Sequence, residues 1–184
     1  LGARFKPEQT VARLADRITT TGGRILMGTA LDGLVEGPQE RVSGVRMVRL
    51  ASGEKRSESA DAVILASGGF AGNPDLVGHY IIRGPGRMRL RAHPWSTGDG
   101  FVAALEIGAL ASAGLDEFYG RNLPAPPASF APEELVEVSQ LYGRYAVAIN
   151  RNGERYADEA ADWSETSLTR ATARQPSLRA WYLL

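Results

Sequence analysis

Four short stretches carry side chains whose types and spacing could do chemistry. Ser67-Gly68-Gly69 follows an apolar run, and its glycine pair admits positive φ and lets a ligand or another backbone approach bare main chain. The same pattern also suits a plain strand-to-loop turn with no ligand. Thr97-Gly98-Asp99-Gly100 precedes a second apolar segment. Free N–H groups at a buried helix start beside two glycines hold anions or polarised oxygens, and an ordinary cap by Thr97 or Asp99 uses the same residues. Glu117-Phe118-Tyr119-Gly120-Arg121-Asn122, followed by Pro124, Pro126 and Pro127, is stiff and irregular, with aromatic, amide and guanidinium groups of the kind that line substrate pockets. The fourth stretch, His79 to His93, is rich in arginine, glycine and proline and reads as a loop facing solvent or anions, the solvated reading having the better odds.

Composition narrows what these groups can do. Among 184 residues, 21 acidic side chains balance 21 basic ones, which argues against a nucleic-acid partner. There is no cysteine, so disulfides, iron–sulfur ligation and thiolate catalysis are excluded. Two histidines, His79 and His93, cannot by themselves build a His-rich metal site. No apolar run approaches the roughly 20 residues of a bilayer span, and no signal-peptide pattern opens the chain. The expectation is a cytoplasmic protein with no structural metal and no integral membrane segment.

The elements that must position these groups follow from periodicity. Val11, Leu14, Ala15 and Ile18 share one face of a helix opened by Pro7-Glu8 and stopped by Gly22-Gly23. Arg24 to Val35 reads as a strand, Gly37-Pro38 as a turn, Arg41 to Leu50 as a β-rich run and Ala51 to Glu54 as another turn. Asp61 to Ser67 is apolar without alternation, which predicts a strand covered on both faces as in a parallel α/β sheet. Phe101 to Ala109 is apolar nearly all round and predicts a buried helix. Glu133 to Leu141 suggests a short helix, Tyr145 to Asn150 a strand, Arg151 to Glu154 a hairpin-type turn and Arg155-Tyr156 the return strand. Ser164 to Ala173 looks helical, and the last residues, to Trp181-Tyr182-Leu183-Leu184, read as a strand whose continuation has been cut off. An exposed strand there would favour self-association by edge pairing.

Three segments together carry a family likeness: AVILASGGFAGN from Ala62, TGDGFVAALEIGA from Thr97 and AVAINRNGERYADE from Ala146. Their order and spacing resemble the flavoprotein family of fumarate reductases, succinate dehydrogenases, 3-ketosteroid dehydrogenases and tricarballylate dehydrogenases. The resemblance implies an α/β plus α+β architecture. Residues 1–72 would form part of a Rossmann-like FAD-binding domain with a β-meander, and residues 73–184 a capping domain that closes over substrate. It implies FAD as cofactor, with Ser67, Gly68 and Gly69 beside it and Asp99, with Gly98 and Gly100, contacting the flavin. It also implies hydride transfer between flavin and a C–C or C=C bond, with an electron acceptor of unspecified identity.

The chain departs from the family pattern at two positions. Trp163 falls near the place of the arginine that donates a proton in fumarate-reducing relatives, and an indole N–H is a poor acid. Arg121 stands where relatives frequently have histidine, and an arginine there can clamp a carboxylate bidentately. Arg121 and Tyr119 are therefore the candidate catalytic pair; Tyr142 and Tyr145 are further phenols, though tyrosines more often pack with a hydrogen-bonded tip. A G-x-G-x-x-G turn for the cofactor's phosphates is lacking, so the chain reads as the middle of a larger flavoenzyme and is expected to be inactive alone. The expected substrate is a small carboxylate, tricarballylate- or fumarate-like, with a ketosteroid as runner-up. A binding module that has lost FAD is the reading from a different class.

Overall fold

The computed structural model describes residues 6–84, 88–161 and 165–184. It divides into two compact units, Leu1–Ile64 and Leu65–Leu184. The first holds helix α1 (Pro7–Thr20) and a three-stranded antiparallel meander of β1 (Thr29–Glu36), β2 (Val42–Arg49) and β3 (Lys55–Ser59). Proline at the helix start and Glu8 in the first turn agree with the helix polarity. The helix ends in a paired lock: Gly22 takes φ +85°, Gly22 N–H donates to Thr19 O at 3.1 Å and Gly23 N–H to Ile18 O at 2.8 Å.

Within this unit α1 buries none of its residues, and the expected apolar stripe is left open, with Val11 65% exposed. β1 begins at Thr29 rather than Arg24. Gly28 at φ +63° turns the chain there, and its carbonyl accepts from Leu50 N–H at 2.9 Å. The β1–β2 register skips Asp32, a bulge whose carboxylate instead meets Lys55 Nζ at 3.0 Å. The last backbone bond of the meander runs from Ala60 N–H to Ser43 O at 2.9 Å.

The run Asp61 to Ser67 is not the buried strand its composition predicts. It joins no ladder among the described residues, and Ile64 is 90% exposed. An unalternating apolar run gains burial only when strands lie on both sides of it, and the strands of the meander hydrogen-bond to one another. All three ladders among the described residues are antiparallel, so no parallel pairing is found there.

The second unit contains α2 (Pro74–Tyr80), α3 (Asp99–Glu106), β4 (Val147–Asn150), α4 (Glu165–Ala173) and β5 (Ala180–Leu183). Asn73 caps α2, accepting from Asp75 and Leu76 N–H, each at 3.1 Å. The expected hairpin exists only as a turn. Arg155 makes one isolated bridge to Ile149, and the true partner of β4 is β5, in antiparallel register from Val147↔Leu183 to Asn150↔Ala180. Asn150 explains why the turn persists: its side-chain oxygen accepts from Asn152 and Glu154 N–H at 2.9 and 3.0 Å. In place of a helix over Glu133 to Leu141 there is one short 3-10 turn, Pro132–Leu135. Ala148, with none of its surface exposed, and Leu168 lie in the small core of this unit.

Candidate functional site

Two of the predicted segments meet in the second unit. Gly100, buried at the start of α3, faces Ser67: a Cβ added there would collide with Ser67 Oγ. Gly98 sits before α3 at φ +88°, and a Cβ on it would come within 2.7 Å of both Leu76 and Phe70. Gly98 is itself the helix cap and carries no side-chain bond, so the expected capping by Thr97 or Asp99 does not occur. Thr97 Oγ1 instead donates to Asp99 Oδ1 at 2.7 Å, and Asn73 Nδ2 donates to Thr97 O at 3.0 Å. Gly72 N–H completes the junction by donating to Ser96 O at 2.9 Å.

Aromatic rings hold this junction from behind. Phe70 packs on Phe101 at 5.2 Å and on Tyr80 at 5.7 Å between ring centroids, and Tyr80 meets Phe101 edge-on at 5.4 Å. Each ring comes from a different segment, so the Ser67 turn, α2 and α3 are fixed together. The glycines thereby divide into two kinds. Gly98 and Gly100 are small because neighbouring side chains fill their space. Gly68, at φ +81°, has a single side-chain atom within reach of a Cβ, and Gly69 has nothing within 4 Å. Ser67, Gly68, Gly69 and Asp99 lie exposed along one edge. That edge offers bare main chain, a hydroxyl and a carboxylate.

Tyr119 and Arg121 line a groove of about 1180 Å³ within the second unit, which Gly72 of the junction also lines. Apolar walls come from Val77, Ile81, Leu90, Leu123 and Leu135, and cations from Arg89, Arg91, Arg121 and Arg179. The basic loop of the sequence thus contributes two arginines to a groove, Arg89 also lying 4.4 Å over the Phe130 ring. Residues 85–87 of that loop, and Trp163 with its neighbours, fall outside the described residues. The Arg121 guanidinium is ion-paired with Glu165 and donates to the Tyr119 hydroxyl. It belongs to a series of three pairs between the 116–121 stretch and α4 with the residue after it: Asp116–Arg174 at 3.7 Å, Glu117–Arg170 and Arg121–Glu165.

Below Arg121 a polar network absent from the sequence reading crosses the groove wall. Asn122 Nδ2 donates to Thr172 Oγ1 at 3.1 Å and to the Tyr182 hydroxyl. Tyr156 hydroxyl lies 2.7 Å from Thr172 Oγ1, and Thr172 Oγ1 donates to Leu168 O at 2.8 Å. Burial raises both phenols, Tyr182 to about 12. The sequence could have flagged Asn122 and Thr172 only as unremarkable polar residues, because their meeting depends on 50 intervening residues.

Glu159, the last residue of the AVAINRNGERYADE segment, is a buried anchor. At 6% exposure it accepts from Ala148 N–H at 2.6 Å and from Arg155 Nη2 at 2.7 Å. The Arg155 guanidinium holds its carboxyl down at about 2, against the opposing effect of burial. It ties β4 to the segment leading into α4. Among the described residues no group of three or more His, Cys, Asp or Glu side chains could hold a metal ion, and no helix is long and apolar enough to cross a membrane.

Comparison with known proteins gives this geometry a setting. The model of the family described as "FAD binding domain" matches residues 4–182. Urocanate reductase of Eggerthella lenta is 29% identical over 136 residues, covering 74% of this chain and 22% of that protein. Vinyl phenol reductase of Lactiplantibacillus plantarum is 28% identical over 144 residues, covering 76% of this chain and 29% of that one. Among solved structures, an open flavocytochrome c3 fumarate reductase superposes with a TM-score of 0.61 at 20% identity, covering 98% of this chain and 30% of that one. The 3-ketosteroid-Δ4-(5α)-dehydrogenase of Rhodococcus jostii RHA1 gives 0.63 at 23% identity, covering 92% and 31%. The chain therefore spans less than a third of the length of these relatives.

Proposed function

Because the chain belongs to the FAD binding domain family of the fumarate reductase type, an oxidoreductase family whose cofactor is FAD, we propose that it supplies the flavin-facing edge and the substrate-facing cap of a larger enzyme. The proposed reaction moves a hydride between flavin and a C–C or C=C bond of a small carboxylate, tricarballylate- or fumarate-like. In this reading residues up to about 72 side with the FAD domain and 73–184 form the cap. The observation that carries it is the junction of the Ser67-Gly68-Gly69 turn with the Gly98-Asp99-Gly100 helix start, which leaves one exposed edge bare of bulk.

When bound, FAD supplies the redox chemistry. The chain's own residues do the placing. Ser67, Gly68 and Gly69 would let the ring system approach main chain, and Asp99 would offer its polar edge a carboxylate, with Gly98 and Gly100 setting the helix start that presents it. Arg121 has five N–H donors in a planar fork, and those not engaged by Glu165 and Tyr119 hold a substrate carboxylate. Tyr119, 67% exposed beside that guanidinium, is the proton donor or acceptor at the neighbouring carbon.

A second reading, a larger and flatter substrate of the ketosteroid kind, is favoured by the groove. Its volume of about 1180 Å³ and its aliphatic walls exceed what a four-carbon diacid fills. The test is a substrate panel on the whole protein isolated with its flavin: fumarate, urocanate, 4-vinylphenol and 4-androstene-3,17-dione with a reduced dye as electron source, and tricarballylate with an oxidised dye as electron acceptor. Turnover of a carboxylate supports the main reading, and turnover of the steroid alone supports the second. A protein that neither retains FAD nor turns over any of the five defeats both.

A further inference from the structure

The hydrogen bonds around Thr172 leave the proton of one phenol, Tyr182, over, and Tyr182 lines the groove. A threonine hydroxyl has one donor and two acceptor positions. Thr172 Oγ1 donates to Leu168 O at 2.8 Å, so it must accept from its other two neighbours. Those are Asn122 Nδ2 at 3.1 Å and Tyr156 hydroxyl at 2.7 Å. This fixes the Asn122 amide with its nitrogen inward, and its second N–H then goes to the Tyr182 oxygen. Tyr182 accepts that bond and cannot pass its own proton to Thr172, which is full. Besides Asn122, the Tyr182 hydroxyl has Thr172 as its recorded hydrogen-bonding neighbour, whose own positions are taken by Leu168, Asn122 and Tyr156, and Tyr182, Asn122 and Thr172 all line the groove.

From this arrangement we propose that Tyr182 is a substrate-recognition residue, presenting its O–H to a carboxylate or carbonyl oxygen of the ligand in the groove, with Asn122 and Thr172 orienting it. The assignment rests on the substrate reading given above and adds a donor that it does not include. The ring is held independently of the hydroxyl: it meets Tyr142 edge-on at 6.0 Å between centroids, and its Cζ would lie 2.9 Å from a Cβ on Gly143. Burial keeps the phenol protonated, so it stays a donor across the physiological pH range.

The experiment is calorimetric titration of the whole protein with cinnamate and with trans-β-methylstyrene, the same skeleton without oxygen. Tyr182→Phe keeps the ring and should weaken cinnamate about tenfold, the scale of one hydrogen bond to a charged group, while leaving trans-β-methylstyrene within about twofold. If Tyr182→Phe does not fold, Asn122→Leu removes the orienting amide and should shift the same ratio in the same direction. Equal weakening of both probes, unchanged cinnamate affinity or no cinnamate binding by the wild type would each overturn the assignment. Cinnamate binding through Tyr182 in a protein that holds no flavin would defeat the proposed function and leave this assignment standing.

Discussion

Replacing Glu159 by glutamine removes a charge while keeping volume and the acceptor for Ala148 N–H. The carboxyl titrates at about 2 instead of 4.5, and the largest cause is the hydrogen bonding from Arg155. A displacement of that size corresponds to about 3 kcal/mol at ~1.36 kcal/mol per unit. Arg155 is 59% exposed, so solvent screens part of the attraction, and about 1–2 kcal/mol is the expected loss for Glu159→Gln at pH 7. The sign follows from a depressed folded-state pKa. The wild type has the full stabilisation above pH 4.5 and loses it as the pH falls toward about 2. Urea unfolding at a series of pH values should therefore show wild type and variant separated at pH 7, converging on acidification across that window. Equal midpoints at pH 7, or a separation that persists unchanged at pH 2.5, would refute the account of Glu159 as an ionised anchor.

Other perturbations address the rest of the site. Gly100→Ala drives a methyl into Ser67 Oγ and should cost about 1–3 kcal/mol, read by thermal unfolding. The same variant should lose flavin on gel filtration, since the Ser67 turn must shift to make room. Arg121→Met leaves Glu165 without its cation and should raise the KM for a carboxylate substrate by roughly tenfold or more, an effect absent for an uncharged substrate. Gly143→Ala meets Leu168 and the Tyr182 ring and should destabilise the second unit by about 1–3 kcal/mol, with the loss visible in near-ultraviolet dichroism of the tyrosines.

Local signals in the sequence located what local physics controls. Pro7-Glu8 and Gly22-Gly23 bracket α1 to within a residue or two, and Ala51 to Glu54 marks the turn between β2 and β3. The Gly98-Asp99-Gly100 start of α3 was legible for the same reason, although the cap is Gly98 itself. Asn73-Pro74-Asp75 spells a helix start just as plainly, with Asn73 the cap and Pro74 the first residue of α2. The pairing of β4 with β5 was not legible. Arg155-Tyr156 is the nearer partner in sequence, and only the packed structure reveals that the chain returns thirty residues later with Trp181 opposite Ile149. Asp61 to Ser67 misled in another way: its residues specify two covered faces but say nothing of what covers them. The Asn122–Thr172–Tyr182 network and the Arg121–Glu165 pair lie beyond any reading of spacing, since each joins residues more than forty positions apart.

The three ion pairs between the 116–121 stretch and the 165–174 segment form a graded fastening. Along the stretch the charges run acid, acid, base, and their partners run base, base, acid. Exposure rises steadily away from the groove: the Arg121 and Glu165 side chains are 21% and 30% exposed, whereas those of Arg174 and Asp116 are 63% and 70%. Salt weakens the outer pair first and the inner pair last. Raising ionic strength should thus loosen this wall from its Asp116 end while Arg121 keeps its place. Any salt dependence of ligand affinity in the groove then reports the stiffness of the wall as well as the charge of the ligand, and an uncharged probe separates the two.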